Sequence, residues 1–119
     1  MGEKILSFRD LKMWQKAKEF AVIIYRVTRE FPREETYGLT SQLRRASISI
    51  ASNIAEGFHR KFPKEKIQFL RVAYGSGAEI ETQLEIAKEL TYISAPAYED
   101  IIGKLSEIMK IINVVMDKL

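Results

Sequence analysis

The 119-residue sequence contains no cysteine, and this absence excludes three kinds of chemistry. The chain cannot form disulfide bonds, a zinc site with thiolate ligands or a cysteine nucleophile. Its length is that of a single domain, which can bury enough apolar surface to fold without such crosslinks. Because proteins of reducing compartments commonly lack disulfides, we expect a cytoplasmic protein.

Histidine is almost absent too, since His59 is the only one. Helical bundles that bind two metal ions carry a Glu-x-x-His motif on each of two helices. Glu56 and His59 match this spacing once, and without a second histidine no second motif can exist. One histidine among many serines does not indicate a catalytic triad. We therefore predict no catalytic residue, no metal site and no cofactor, and expect that the protein is not an enzyme.

Long hydrophobic runs are missing as well. No segment approaches the ~18 apolar residues that span a bilayer, and residues 1–4 do not resemble a targeting signal. We therefore expect a soluble protein that does not contact membranes.

Proline is scarce, and its three positions mark helix boundaries. Pro32 ends one helical pattern, Pro63 suits the first turn of another, and Pro96 interrupts the sequence again. Ser7 and Asp10 have the spacing of a capping box at the start of the first helix. Short connections make consecutive helices antiparallel. The prediction is an all-α, antiparallel up-down four-helix bundle in one domain, residues 1–119, with helices at residues 8–31, 38–58, 63–93 and 97–118.

The first and last predicted helices each carry two apolar rows. One row should fill the core, and a second is unusual on a monomer. The core rows are Leu11, Trp14, Ala21, Ile24 and Thr28 in the first helix, and Ile101, Leu105, Ile108, Ile112, Val115 and Leu119 in the last. We predict a homo-oligomer whose interface uses the second rows; the alternative is one wide core-facing surface. The second rows are Met13, Phe20 and Val27 in the first helix, and Ile102, Met109 and Met116 in the last.

Polar residues form rows on the second and third helices. If the connection between them centres near Lys61, antiparallel pairing places Arg45 opposite Glu79. A semi-buried network here would set the helix register, although a ligand site or ordinary exposure is also compatible with the spacing. Gly75 and Gly77 predict a close approach of a neighbouring helix or a local kink. The predicted network is Arg45, Ser49, Asn53, Glu56, Ser76 and Glu79.

The net charge of +3 is unevenly distributed along the chain. Residues 1–71 contain 15 Lys/Arg and 8 Asp/Glu, whereas residues 72–119 contain 4 and 8. Basic residues that the topology brings to one end of the bundle favour nucleic acid, and Phe58 and Phe62 could stack on unpaired bases there. The alternative is two differently solvated faces. The predicted nucleic-acid-binding residues are Arg9, Lys12, Lys16, Arg60, Lys61, Lys64 and Lys66.

The run from Phe31 to Leu39, continued by residues 42–50 and 53–57, resembles the bacterial four-helix-bundle proteins of intervening sequences in 23S ribosomal RNA genes. It is also similar to the accessory proteins of diversity-generating retroelements. Residues 8–11 with Trp14, and Gly75-Ser76 with Glu79, fit the same pattern. The sequence departs from it at Tyr74, where a basic or small residue is expected, and at Gly77, where leucine is expected.

This resemblance implies a four-helix protomer that assembles into a homopentameric ring. For the retroelement relatives it implies a basic surface that binds nucleic acid and a reverse transcriptase. We therefore predict a non-enzymatic, homo-oligomeric protein that binds RNA or DNA by charge. The rival hypothesis is a protein–protein interaction scaffold that does not bind nucleic acid.

Overall fold

The computed structural model describes residues 4–119, so Met1–Glu3 of the predicted domain lie outside the described residues. Each helix packs against the next in sequence, and contacts between the first and last helices close the bundle, which measures 46 × 27 × 21 Å. The predicted all-α four-helix bundle is confirmed. We call the end where the first and third helices begin the lower end. The helices are α1 (Lys12–Thr28), α2 (Leu39–Phe58), α3 (Pro63–Glu89) and α4 (Ala95–Lys118).

The first predicted helix is divided in two. Phe8–Asp10 forms a 3-10 turn, and Leu11 is extended with φ −76° and ψ 126°. The predicted capping box is present: Arg9 donates its N–H to Ser7 Oγ at 3.2 Å, and Ser7 donates its N–H to Asp10 Oδ2 at 3.0 Å. It therefore caps the 3-10 turn rather than α1, which begins after Leu11.

The connection between α3 and α4 differs from the prediction, because α3 ends at Glu89 rather than near residue 93. Thr91 adopts a left-handed conformation with φ 62°, which a helix cannot accommodate. Ser94 then accepts the N–H of Ala97 at 3.2 Å. This cap starts α4 at Ala95, two residues earlier than predicted.

The core shows that part of the predicted oligomer interface is wrong. Met13, Phe20 and Met109 are only 7%, 1% and 7% exposed, so they pack inside their own protomer. In α1 the buried residues share a single face. At Met13, Phe20 and Met109 the alternative prediction, a wide core-facing surface, is therefore correct. Val27, Ile102 and Met116 pack half-buried against this core and stay predicted interface residues. The buried face of α1 consists of Met13, Ala17, Phe20, Ile24 and Thr28.

Gly77 explains why Met109 turns inward. A Cβ atom at Gly77 would overlap the Met109 sulfur, whereas one at Gly75 would meet open space. The Met109 side chain thus fills the space beside Gly77, a position at which the family resemblance leads us to expect leucine. The predicted close approach of a neighbouring helix is confirmed for Gly77 and wrong for Gly75.

Glu35 joins the two helix connections at the upper end of the bundle. Its Oε1 atom accepts the N–H of Leu39 in the first turn of α2 at 3.0 Å. Its Oε2 atom accepts the Tyr92 hydroxyl at 2.9 Å, and the Tyr92 ring packs 5.3 Å from that of Phe31. The hydrogen bond from Leu39, and then that from Tyr92, lowers the pKa of Glu35.

We predict that Gly77→Leu lowers the free energy of unfolding by about 1–3 kcal/mol, because the new side chain competes with Met109 for one volume. Adding Met109→Ala should restore most of this loss. Urea denaturation followed by circular dichroism measures both changes. Gly75→Ala is the control: in open space it should stabilise α3 by up to about 1 kcal/mol. Equal effects at both glycines would contradict this account.

We also predict that Glu35→Gln destabilises the protein at neutral pH and much less in acid. Because folding lowers the pKa of Glu35, its contribution is present above the ordinary glutamate pKa of about 4.3 and is lost as the pH falls through the folded-state value. Denaturation of wild type and variant across this range gives the difference in unfolding free energy. Glu34→Gln, at an exposed neighbour, is the control and should change the unfolding free energy little across the same range. A pH-independent difference for Glu35→Gln would refute the carboxylate's role.

Candidate nucleic-acid interface

The lower end is formed by residues from all four helices. The Phe8 ring, which precedes α1, lies 5.8 Å from the His59 ring at the end of α2 and 5.1 Å from Trp14. A cavity of about 130 Å³ at this end is lined from every helix, including Met13, Phe58, Lys66, Leu70 and Val115. The fold therefore places the segment before α1 beside the connection between α2 and α3.

Most of the predicted nucleic-acid-binding residues are exposed around this end. Within residues 4–119 none of these exposed cations forms an ion pair with a carboxylate. The Arg60 guanidinium lies 4.5 Å above the Phe69 ring and that of Arg9 4.6 Å above Phe8, which orients both side chains along the surface. We call this group the basic pole: Arg9, Lys12, Arg60, Lys61 and Lys64.

Lys16 and Lys66 do not belong to the basic pole, in contrast to the prediction. Lys66 Nζ donates to the Phe58 carbonyl at 2.9 Å, and so neutralises the carbonyl end of α2. Lys16 Nζ lies 2.8 Å from a Glu107 carboxylate oxygen on α4. That hydrogen bond lowers the pKa of Glu107. Both ammonium groups therefore bind acceptors within the protomer. Only the folded structure brings these acceptors close to the two lysines.

An apolar groove adjoins the basic pole. Phe62, which is 60% exposed, lines a depression of about 510 Å³ with Phe69 and with the polar Lys64, Glu65 and Gln68. Phe58 instead packs half-buried, with its ring 5.5 Å from that of His59. Of the two predicted stacking residues, Phe62 is therefore accessible to a base and Phe58 is part of the packing.

The predicted polar network is real in part. Ser49 Oγ accepts hydrogen bonds from Ser76 Oγ at 2.9 Å and from Asn53 Nδ2 at 3.0 Å. Arg45 lies opposite Glu79, as predicted, with 3.5 Å between the charged atoms. Their side chains are 63% and 48% exposed, so the predicted semi-burial is wrong.

The sixth predicted member, Glu56, is exposed, and its carboxylate makes no hydrogen bond to residues 4–119, although its backbone carbonyl accepts the N–H of His59 at 3.2 Å. It lies on the outer side of α2, one turn beyond Asn53. Among the other members, the Ser49–Ser76 hydrogen bond and the Arg45–Glu79 ion pair join α2 to α3.

A second basic surface, which was not predicted from the sequence, lies between α1 and α2. Arg44 donates to Thr28 Oγ1 at 2.9 Å and to the Tyr25 carbonyl at 3.3 Å, while its guanidinium lies 4.7 Å above the Tyr25 ring. The spacing of Lys18, Tyr25 and Arg29 along one side of α1 could have indicated it. The basic residues lining this surface are Lys18, Arg26, Arg29, Arg44 and Arg45.

Two further properties concern only the described part of the chain. Between residues 4 and 119, no three histidine or carboxylate side chains come together in a group that could hold a metal ion. No helix in that range is long and apolar enough to cross a membrane.

Residues 9–114 match the family model described as 23S rRNA-intervening sequence protein. The fold is similar to the crystal structure of a protein of unknown function from Bacteroides thetaiotaomicron, which is assigned to the S23 ribosomal protein family. The TM-score is 0.79 at 27% sequence identity, over 87% of this chain and 97% of that chain. No curated protein matches the sequence. Because the family model covers most of the chain, this protein belongs to the 23S rRNA-intervening sequence protein family.

Proposed function

We propose that this protein is a non-enzymatic, homo-oligomeric accessory protein that binds nucleic acid, RNA foremost, through the basic pole. One observation carries the proposal: exposed cations that form no ion pair within residues 4–119 adjoin a groove that contains the exposed Phe62 ring. Such cations release counterions from phosphates without reading sequence. The family takes its name from intervening sequences of ribosomal RNA genes, which favours RNA over DNA as the ligand.

Acidic residues near the pole limit this charge without removing it. The Asp10 carboxylate already accepts the N–H groups of Leu6 and Ser7, both at 3.0 Å. Glu65 lies in the first turn of α3, where it interacts favourably with the helix dipole. Lys61 and Lys64 are exposed and form no ion pair within residues 4–119, so we expect these two side chains to contact phosphates.

An oligomer strengthens weak binding of this kind. Several basic poles on one assembly contact one RNA molecule at once, and the second contact forms at a high effective concentration. A protein scaffold without nucleic-acid binding is the second candidate, because Val22, Ile48, Val72 and Ile86 are each more than 40% exposed. Aliphatic side chains in such number suit a protein partner better than phosphates.

We predict that Lys61→Gln/Lys64→Gln weakens binding to a structured RNA hairpin and lowers its salt dependence. Each phosphate contact that is lost should reduce the slope of log affinity against log salt by about 0.7–0.9. Fluorescence anisotropy between low and moderate salt measures this slope. The control variant is Lys110→Gln on α4, which should bind as the wild type does. Unchanged affinity and slope in the double variant would contradict the basic pole.

A separate prediction concerns stacking. Phe62→Ala should weaken binding to single-stranded RNA by about 1–3 kcal/mol, because unpaired bases stack on exposed aromatic rings. Binding to a blunt RNA duplex should change little, since its bases are already stacked. Competition between the two RNAs on the wild type and the variant tests this difference. Equal losses for both RNAs would mean that Phe62 supports the fold of the pole rather than contacting a base.

A further inference from the structure

Two surfaces lie on opposite sides of the bundle. Helix α1 contacts α2 and α4, and α3 contacts the same two helices, so the pair α1–α2 lies across the bundle from the pair α3–α4. We call these sides the α1–α2 face and the α3–α4 face. Neither includes the basic pole, which occupies the lower end.

The α1–α2 face is apolar in its middle and basic around it. Val22, Tyr25 and Ile48 are 43%, 37% and 45% exposed there. Two adjoining grooves meet at Tyr25, and the residues lining them include cations and no carboxylate. Within residues 4–119, Arg26 and Arg29 form no ion pair, and Lys18 lies 5.5 Å above the Trp14 ring. Arg26 and Arg29 of this face thus have no carboxylate partner among residues 4–119, whereas Arg44 is bonded to Thr28 and Arg45 pairs with Glu79.

The α3–α4 face has the complementary character. Burial raises the pKa of Tyr98, and the nearby carboxylates of Glu85, Glu99 and Glu81 raise it further. Lys88 accompanies these acids, and its ammonium lies 4.6 Å above the Tyr98 ring. The same two helices also carry partly exposed apolar side chains: Tyr74 of α3 is 39% exposed, and Ile102 and Met116 of α4 are half-buried.

We propose that the α1–α2 face of one copy docks on the α3–α4 face of a second copy, with arginines opposite glutamates and the apolar centres in contact. The inference rests on the homo-oligomeric part of the proposed function and assigns its surfaces. A contact between two different faces is heterologous, and it generates a closed ring or a filament according to the rotation between copies. Val22 and Ile48 favour a protein over nucleic acid here, because they offer phosphates nothing and would be desolvated by an apolar partner.

Charge reversal tests the pairing. Arg26→Glu/Arg29→Glu and Glu81→Lys/Glu85→Lys should each weaken self-association by about tenfold or more, because like charges then face each other. Combining all the changes in one chain should restore assembly, and mixing the two double variants should restore pairing between unlike copies. Sedimentation velocity measures the mass, and circular dichroism confirms that each variant is helical. The mixture keeps the test decisive if the combined variant does not fold.

The matched control is Lys61→Glu/Lys64→Glu at the basic pole, which should lose RNA binding while it keeps the oligomer. If the wild-type protein assembles but does not bind RNA, the proposed basic pole is overturned and the docking is left intact. A monomeric wild type, or an Arg26→Glu/Arg29→Glu variant that assembles normally, would overturn the docking. The same double variant losing RNA binding at unchanged mass would assign the α1–α2 face to nucleic acid and also overturn it.

Discussion

The close approach of α2 and α3 is the constraint on which the rest of the structure depends. Ala46 and Ala73 are fully buried between them, and the hydroxyls of Ser49 and Ser76 are 2.9 Å apart. Small side chains let two helix backbones come near enough for such a contact, which a larger residue on either helix would prevent. The hydroxyl pair in turn favours one register, because sliding either helix by a turn would break this hydrogen bond and leave the buried Ser76 hydroxyl without its partner on α2.

This register determines what the lower end looks like. With α2 and α3 aligned, the connection between them is only four residues long, and Lys66 reaches back to the last carbonyl groups of α2. The connection must then turn outward, which leaves Arg60 and Lys61 at its tip. The exposed charge of the pole is therefore a consequence of helix packing and does not require a specialised loop.

The features predictable from the sequence were those that depend on local spacing. The four helices, the capping box at Ser7 and the pairing of Arg45 with Glu79 follow from periodicity and one connection length. The inward position of Met109 was not predictable in this way, because it depends on the missing side chain of Gly77 on another helix. The partners of Lys16 and Lys66 were missed for the same reason, since a long side chain selects its acceptor only in the folded protein.

The distribution of charge along the chain acquires its meaning from the topology. In an up-down bundle the first two helices lie across from the last two, so a basic first part and an acidic second part become opposite sides of one molecule. A basic lower end accounts for the positions of Lys61 and Lys64. It does not account for Arg26, Arg29 and Glu85, which lie far from that end. When one side of the bundle is basic and the opposite side is acidic, the basic side of one copy can face the acidic side of the next. The proposed binding of RNA at the lower end is thus compatible with lateral assembly through the sides.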